Sequence, residues 1–209
     1  MTDFEPNEKS TLELLKSDLL RARILGRHEG EVKLLELLIA PVYAQFRVLT
    51  LVRIATLRRS IFKKIARVLL RSFYKIEIGS NVKIGHSIFF PHPMCIVIGD
   101  GALLGDEVSI AQFTTIGGNF RKTKIRDGHI QKLPRIGSKV IIGPGSVIGG
   151  PVLIGNSVII GANSVITKDI PPNSIAYGTS KISRAKIEVD PTGAYSTTIC
   201  ATKEEPPIN

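Results

Sequence analysis

From residue 78 to residue 166, a hydrophobic residue returns at intervals of six, and glycine usually follows it. The series comprises Ile78, Ile84, Phe90, Ile98, Leu104, Ile110, Ile116, Ile136, Ile142, Ile148, Ile154, Ile160 and Ile166. Gly comes directly after ten of these thirteen residues, although only 19 of the 209 residues are Gly. Val, Ala, Thr or Ser stands four positions after nine of them, at Val82, Ala102, Val108, Thr114, Val140, Ser146, Val152, Val158 and Ser164. Hexapeptide repeats of this kind are typical of a parallel β-helix, in which each unit forms one short strand and one corner.

Each residue type has a place in such a coil. The leading aliphatic side chain is expected to point inward and to stack on its equivalents in neighbouring turns. Glycine is expected because it lets the corner adopt backbone angles that a Cβ disfavours, and the small residue fits the narrow inside of the next corner. One unit cannot bury its own apolar face, so the units stabilise one another as a stack. We therefore predict a mainly β fold and assign the repeated Ile, Val and Gly residues to its scaffold.

The first 75 residues carry helical signals instead. Ser10 and Glu13 form a capping-box pattern, and apolar residues follow at the helical spacing of Leu12, Leu15, Leu19 and Ala22. A second helix is predicted over residues 31–40, before Pro41. The stretch from residue 42 to about residue 74 lacks Gly and Pro and predicts one long helix or two. We expect its Arg and Lys side chains to be exposed and its Leu, Ile, Val and Phe side chains to be buried.

The predicted organisation has three parts. Residues 1–75 form an N-terminal α-helical region, residues 76–186 form the β-helix domain, and residues 187–209 form a C-terminal tail. The β-helix domain carries an inserted loop over residues 117–135, because the hexapeptide series is interrupted between Ile116 and Ile136.

The positive charge of the chain is concentrated in one segment. The formal net charge is +10, and the segment Arg47–Lys75 contains nine basic residues and no Asp or Glu. The favoured interpretation is a packing segment with a solvated basic face, and the second is a peripheral contact with anionic lipid headgroups. No nucleic acid partner is expected, because the segment lacks a recognised motif and interleaved aromatic residues.

Several protein classes are disfavoured by the rest of the sequence. No apolar run approaches the roughly 20 residues that a membrane-spanning helix needs, and the polar N-terminus predicts no signal peptide. Cys95 and Cys200 stand far apart, and no Cys/His spacing is typical of a zinc site. We therefore expect no bound metal and a cytoplasmic location, with the inner face of the membrane as the alternative.

The hexapeptide pattern breaks at three places, where functional residues are most expected. At Pro91–Cys95 a proline replaces the glycine, His92 follows it, and two extra residues precede Ile98. At Ile110–Gln112 the glycine is again missing. The third break is the 14-residue insertion before Ile136, and a loop that leaves a rigid scaffold is a common place for a binding site.

The motifs around these breaks resemble those of serine acetyltransferases and their relatives in polysaccharide gene clusters. The resemblance rests on Ser17–Arg21, the stretch Lys75–Asp100, the segment Thr114–Gly118 and the C-terminal coil Gly161–Pro172. It covers nearly the whole chain and implies a left-handed β-helix and an O-acetyltransferase that uses acetyl-CoA as cosubstrate. A non-catalytic hexapeptide-repeat protein is the rival class.

The resemblance implies the catalytic residues. From the sequence alone, a single histidine such as His92 is more often structural or exposed than catalytic. The family assigns the equivalent of His92 to general base catalysis, and Gly118 is the candidate donor to the oxyanion. Glu77 stands where the family has an aspartate that supports this histidine; an ordinary exposed glutamate is the equal alternative.

Binding residues and assembly are implied in the same way. Gly143, Gly161 and Ala162 are expected beside the pantetheine chain, and Lys168 is expected near the CoA phosphates. Gln112 and His129 are the candidates for acceptor binding, although His129 is equally consistent with a solvated loop residue. The family's assembly predicts a homotrimer or a dimer of trimers, with CoA between neighbouring prisms.

The acceptor is predicted from departures from the family. Pro91 precedes His92 where serine enzymes carry an acidic residue, and Leu133 stands where they carry a second histidine. A site without these groups is expected to bind the serine zwitterion weakly. We therefore expect a sugar hydroxyl of a polysaccharide or glycan precursor as acceptor, with serine as the alternative, and Arg126, His129 or Lys132 as possible compensating charges for serine.

Overall fold

The computed structural model describes residues 10–25, 44–57, 61–120 and 122–178, together with two strands over 185–189 and 195–199. The chain divides into two compact units, Met1–Thr179 and Ser180–Asn209. The second unit contains an antiparallel hairpin formed by the strands Ala185–Val189 and Tyr195–Ile199. The predicted helix over residues 31–40 lies outside the described residues.

The described N-terminal helices are α1 (Thr11–Leu25), α2 (Ala44–Ala55) and α3 (Ile61–Leu69), and a π-helical turn continues α3 over Leu70–Tyr74. The capping box is confirmed, because the Ser10 N–H donates to Glu13 Oε2 over 2.8 Å and the Glu13 N–H donates to Ser10 Oγ over 3.3 Å. Of the two alternatives for the stretch 42–74, the structure has two helices. The π-helical turn ends at Lys75, whose left-handed backbone conformation (φ 55°) directs the chain into the first strand.

Short strands follow α3 throughout the rest of the first unit. They are β1 (Glu77–Ile78), β2 (Lys83–Ile84), β3 (Val97–Ile98), β4 (Leu103–Leu104), β5 (Ser109–Ile110), β6 (Thr115–Gly117), β7 (Lys124–Arg126), β8 (His129–Gln131), β9 (Arg135–Ile136), β10 (Ile141–Ile142), β11 (Val147–Gly149), β12 (Leu153–Ile154), β13 (Ile159–Ile160), β14 (Val165–Ile166) and β15 (Ile175–Ala176).

Three parallel sheets form the faces of a prism. Face A has the order β1-β3-β6-β11-β14, face B has the order β12-β9-β4-β2, and face C has the order β15-β13-β10-β5. The chain visits the faces in the order A, B, C and returns to A, one turn higher. This is the left-handed parallel β-helix that the hexapeptide pattern and the family resemblance predicted. We call the edges of the prism the A–B, B–C and C–A edges, after the faces that the chain leaves and enters.

The interior of the prism confirms the assignment of scaffold residues. All thirteen leading hydrophobic residues are buried, and so are the nine small or β-branched residues that follow them. Stacked side chains come from equivalent positions, as in Ile98 and Ile116 on face A and Ile142 and Ile160 on face C. Burial of these side chains supplies most of the stabilisation that the prism has.

The reason predicted for the repeated glycines is wrong. None of the ten glycines that follow a leading residue, all within the described chain, has a positive φ. The corners instead place non-glycine residues in that conformation, for example Ser87, Glu107 and Lys139. The glycines are required because successive turns approach closely: a Cβ on Gly155 would lie 2.3 Å from the Pro172 nitrogen.

A buried ion pair fixes the helices to the prism. Arg53 on α2 donates to both carboxylate oxygens of Asp18 on α1, over 2.6 and 2.7 Å. The same guanidinium donates to the carbonyls of Ile84 and Gly85, and Asp18 accepts from the Ile88 N–H. Arg53 thereby connects α1, α2 and the first turn of the β-helix.

The predicted exposure of the basic segment is wrong in two respects. Arg53 is buried, and Lys63 and Arg67 on α3 point inward to the first turn of the prism. The apolar residues Ile65 and Val68 on the same helix are exposed. Apolar periodicity shows that a helix has two faces, but it does not show which face meets the core.

Candidate active site

His92 lies in an enlarged corner at the C–A edge. Ile98 on face A follows its partner Ile78 by 20 residues, whereas its next partner, Ile116, comes only 18 residues later. The two extra residues therefore lie in the corner between Phe90 and Val97. The imidazole of His92 is exposed to solvent.

Backbone hydrogen bonds hold this corner on both sides. The Met94 N–H donates to the His92 carbonyl over 2.8 Å, and the Cys95 N–H donates to the Tyr74 carbonyl over 3.0 Å. The Phe113 N–H, in the corresponding corner of the next turn, donates to the Met94 carbonyl over 3.3 Å. His92 therefore combines an exposed imidazole with a backbone that is held by hydrogen bonds. A catalytic group that must contact a bound substrate needs both features.

Glu77 lies beside this corner and contacts it through the backbone, because the Glu77 N–H donates to the Ile96 carbonyl over 2.8 Å. Glu77 is exposed on β1 of face A, and its register partner on β3 is Val97, which directly follows the His92 corner in the chain. Within the described residues, no hydrogen bond or ion pair joins the Glu77 carboxylate to His92. The support of His92 by Glu77 stays a prediction.

Four other predicted residues share the C–A edge with His92. Gln112 lies in the corner of the next turn, where its carbonyl accepts from the Gly145 N–H over 3.0 Å. Gly143, Gly161 and Ala162 lie in the corners above it. A Cβ on Gly143 would lie 2.7 Å from the Ala162 nitrogen. This glycine is therefore needed for the stacking of turns, whatever it also does for a cosubstrate.

The remaining predicted residues lie at the A–B edge, where the inserted loop leaves the prism. Strands β7 and β8 of the loop form an antiparallel hairpin, and its two-residue turn places Asp127 and Gly128 at positive φ. An Asp-Gly pair is the typical sequence of such a turn. His129 lies at the start of β8 and is exposed.

Gly118 and Lys168 are also exposed at this edge. A Cβ on Gly118 would meet only the Lys132 carbonyl, at 3.7 Å, and in the described part of the chain no carbonyl accepts the Gly118 N–H. This N–H is therefore available to an oxyanion. Lys168 lies in the corner between β14 and Ile170, which bridges to Ile154 on face B.

Asp169 connects the hairpin to the β-helix, a role that was not predicted from the sequence. Its carboxylate accepts from Lys124 Nζ over 3.1 Å, from Arg126 Nη2 over 2.5 Å and from the Leu153 N–H over 2.9 Å. Partial burial alone would raise the pKa of Asp169, but these three donors outweigh it and hold the pKa below its usual range. The hexapeptide register places residue 169 at the A–B edge, where the insertion also begins. This register is the sequence signal from which the contact could have been predicted.

Gln131 and Leu133 complete the base of the hairpin. Gln131 is buried, and its Nε2 donates to the carbonyls of Leu133 and Val152. The Leu133 side chain packs against Gly99, where a Cβ would lie 2.8 Å from Leu133 Cδ1. The hairpin is thus held at its base as well as through Asp169.

The predicted site residues therefore divide between two edges of one chain. His92, Gln112, Gly143, Gly161 and Ala162 share the C–A edge, whereas Gly118, His129 and Lys168 share the A–B edge. Among the described residues, no group of three or more His, Cys, Asp or Glu side chains is arranged to hold a metal ion. None of the described helices has the length and apolar character that crossing a membrane requires.

Comparisons with known proteins agree with this architecture. Residues 134–168 match the family model "Bacterial transferase hexapeptide (six repeats)". A serine acetyltransferase of Helicobacter pylori is 34% identical over 110 residues, which cover 53% of this chain and 61% of that protein. The chain spans between about a quarter and three fifths of the length of such curated relatives.

Solved structures of serine acetyltransferases have the same fold. One, in complex with CoA, has a TM-score of 0.64 at 26% identity and covers 81% of this chain and 67% of its own. The soybean enzyme complexed with serine has a TM-score of 0.62 at 27% identity over the same shares of the two chains. The predicted family resemblance and fold class are confirmed. The curated relative and both solved structures are named as serine acetyltransferases.

Proposed function

We propose that this serine acetyltransferase-like hexapeptide-repeat protein is an acetyl-CoA-dependent O-acetyltransferase. The observation that carries the proposal is the exposed imidazole of His92, held on a bonded corner of a prism whose structural relatives include a CoA complex. A hydroxyl is a poor nucleophile at neutral pH, and a positioned imidazole corrects this deficiency by accepting its proton.

The reaction is a direct transfer. His92 accepts the proton of the acceptor hydroxyl as its oxygen attacks the thioester carbonyl of acetyl-CoA. The new C–O bond forms, the C–S bond breaks, and the proton passes from His92 to the departing CoA sulfur. Glu77, on the neighbouring strand, is the candidate to orient the imidazole and stabilise its protonated form. Gln112, in the next corner of the same edge, is the candidate contact to the acceptor.

We place the complete site between two copies of the chain. The oxyanion donor Gly118 and the phosphate contact Lys168 lie at the A–B edge, whereas His92 lies at the C–A edge. A closed ring of three prisms, joined by unlike surfaces, sets one edge of each copy beside another edge of its neighbour. CoA then extends along Gly143, Gly161 and Ala162, and His129 approaches the acceptor from the neighbouring hairpin.

Apolar side chains beside the C–A edge support such an assembly. The outward positions of face C carry Ile141, Ile159 and Ile175, and the corners carry Met94 and Phe113, all of them exposed in the single chain. An exposed apolar surface of this kind is typical of a subunit interface. We propose a homotrimer, or a dimer of trimers.

L-serine is the first acceptor that we propose, because the relatives and the structural neighbours are serine acetyltransferases. A sugar hydroxyl of a glycan precursor is the second candidate. It is favoured by Pro91 before His92 and by Leu133, whose apolar side chain packs on Gly99 at the base of the hairpin. Neither side chain offers a charge to the ammonium or the carboxylate of serine.

An acceptor screen tests the proposal. Purified full-length protein and acetyl-CoA are incubated with L-serine, nucleotide sugars and oligosaccharides, and acetylated products are detected by mass spectrometry. Formation of O-acetylserine at a saturable rate identifies L-serine as the acceptor, and selective acetylation of a sugar identifies the second candidate. Absence of product with every hydroxyl compound, from a folded trimer that binds CoA, would overturn the proposed transfer.

A further inference from the structure

Helix α3 exposes most of its apolar residues and turns two of its three cations, Lys63 and Arg67, inward. Ala66 and, in the π-helical turn, Leu70 face the core. On the opposite side, Ile61 is 73% exposed, Ile65 50% and Val68 62%, and Phe73 of the π-helical turn is 75% exposed. We call these four residues the α3 ridge. A solvated helix usually carries charged residues on this side.

Two cations of the same helix form hydrogen bonds with the β-helix. Lys63 Nζ donates to the Ser80 carbonyl over 2.6 Å. Arg67 donates to Ser80 Oγ over 2.8 Å and to the Gly79 carbonyl over 3.0 Å. These contacts fix the rotation of α3 about its axis, so the ridge is held outward.

Further cations surround the ridge. Lys64 on α3, Arg71 on the π-helical turn and Lys75 directly after it are exposed, and Arg47, which is also exposed, lines a groove between α2 and α3. The groove is lined mainly by apolar side chains, including Leu51, Leu69 and Phe73. The segment Arg47–Lys75 contains no Asp or Glu that would compensate these charges.

We propose that the α3 ridge binds the surface of an anionic lipid bilayer. Helices that lie in a membrane interface combine an inserted apolar face with flanking Lys and Arg residues that meet the lipid phosphates. Both features are present here, and none of the described helices is long and apolar enough to cross the bilayer. The contact is therefore peripheral, and it is independent of the proposed acetyl transfer.

Charge distinguishes the bilayer from two other occupants. A second copy packed on the same face would bring the exposed cations of both chains together, and like charges at an interface are unfavourable. Nucleic acid would match the positive charge but would leave the apolar ridge in water. An anionic bilayer satisfies both the ridge and its surrounding cations.

Vesicle co-sedimentation tests the inference with the full-length protein. We expect binding to vesicles of phosphatidylcholine mixed with phosphatidylglycerol, weak binding to phosphatidylcholine alone, and weakening as salt is added. The variant Lys64→Gln with Arg71→Gln is expected to bind about fivefold more weakly per cation removed. Ile65→Ser with Val68→Ser is expected to lose vesicle binding while it keeps the circular dichroism spectrum of the folded protein.

A matched control removes apolar area elsewhere. Ile125→Ser with Ile130→Ser alters a pair of exposed isoleucines on the hairpin, and it should bind the anionic vesicles like the unaltered protein. Three results would overturn the inference: no binding to anionic vesicles at low salt, equal losses in the ridge and hairpin variants, or a change of oligomeric state in the ridge variant, which would identify a second copy as the occupant.

Discussion

Replacing Arg53 by methionine tests the attachment of the helices to the β-helix. The side chains of Arg53 and Asp18 are only 2% and 0% exposed. The substitution removes both hydrogen bonds to Asp18 and, within the described part of the chain, leaves its carboxylate with the Ile88 N–H alone. It also leaves the carbonyls of Ile84 and Gly85 without the donors that Arg53 supplies.

The expected loss is large. Removing one partner of a buried ion pair costs about 3 to 5 kcal/mol, because the other charge stays buried. For a domain of this size, each kcal/mol lowers Tm by about 2 to 4 °C, so we expect a decrease of about 6 to 20 °C. Thermal unfolding followed by circular dichroism measures it. The control is Arg47→Met, because Arg47 is exposed and, among the described residues, donates to the Tyr74 hydroxyl alone; equal decreases in Tm for the two variants would refute the reasoning.

The variant also has a distinctive pH dependence. Burial raises the pKa of Asp18, and the hydrogen bond and charge of Arg53 oppose this shift. Without Arg53 the pKa rises further, and the folded state retains a proton that the unfolded state has lost. Stability should therefore fall as pH rises from about 4, the usual pKa of Asp, through the raised pKa of the folded state. A Tm of Arg53→Met that does not fall with pH over this range would contradict the account.

The other predictions concern the hairpin, the turns of the prism and CoA. Asp169→Asn should loosen the hairpin and accelerate tryptic cleavage within it. In the unaltered protein the Asp169 carboxylate has a lowered pKa, so its contacts with the hairpin should persist above about pH 4 and weaken as pH falls below that value. Gly155→Ala should destabilise the fold by about 1 to 3 kcal/mol, as measured by urea unfolding, because its Cβ would lie 2.3 Å from the Pro172 nitrogen, whereas Gly149→Ala, with no atom within 4 Å, should be tolerated. Lys168→Ala should raise the KM for acetyl-CoA, and the same change at Lys83 on face B should not; an unchanged KM removes Lys168 from the CoA site.

Much of the fold could be predicted because the hexapeptide pattern repeats the same local requirement at every turn. The inward positions, from Ile78 to Ile166, and the enlarged corner at His92 follow directly from that register. The structural reason for the repeated glycines could not be predicted, because the contact between Gly155 and Pro172 joins residues of different turns. The orientation of α3 could not be predicted either. Its apolar and its basic residues both recur at helical spacing, and only contacts such as that of Lys63 with Ser80 determine which face meets the β-helix.

The candidate site was predictable only in part, for a related reason. Breaks in the repeat identified His92 and the inserted loop, but the contact between the loop and Asp169 depends on a corner two turns further along the β-helix. The predicted site residues also divide between two edges of the prism. The sequence of one chain does not show how a neighbouring copy would bring these edges together. The exposed isoleucines of face C are the feature of the chain that addresses this question.

The loss of acetyl transfer on removal of the His92 imidazole tests the central claim most directly. Release of the CoA thiol is followed in the presence of the best acceptor from the screen, for the unaltered protein, His92→Ala and His86→Ala. His86 is the matched control, because it lies at the B–C edge and bonds to Asp106. We predict that kcat falls by about 10² to 10⁴ in His92→Ala and is retained in His86→Ala. A folded His92→Ala protein that turns over at the rate of the unaltered protein would contradict the account.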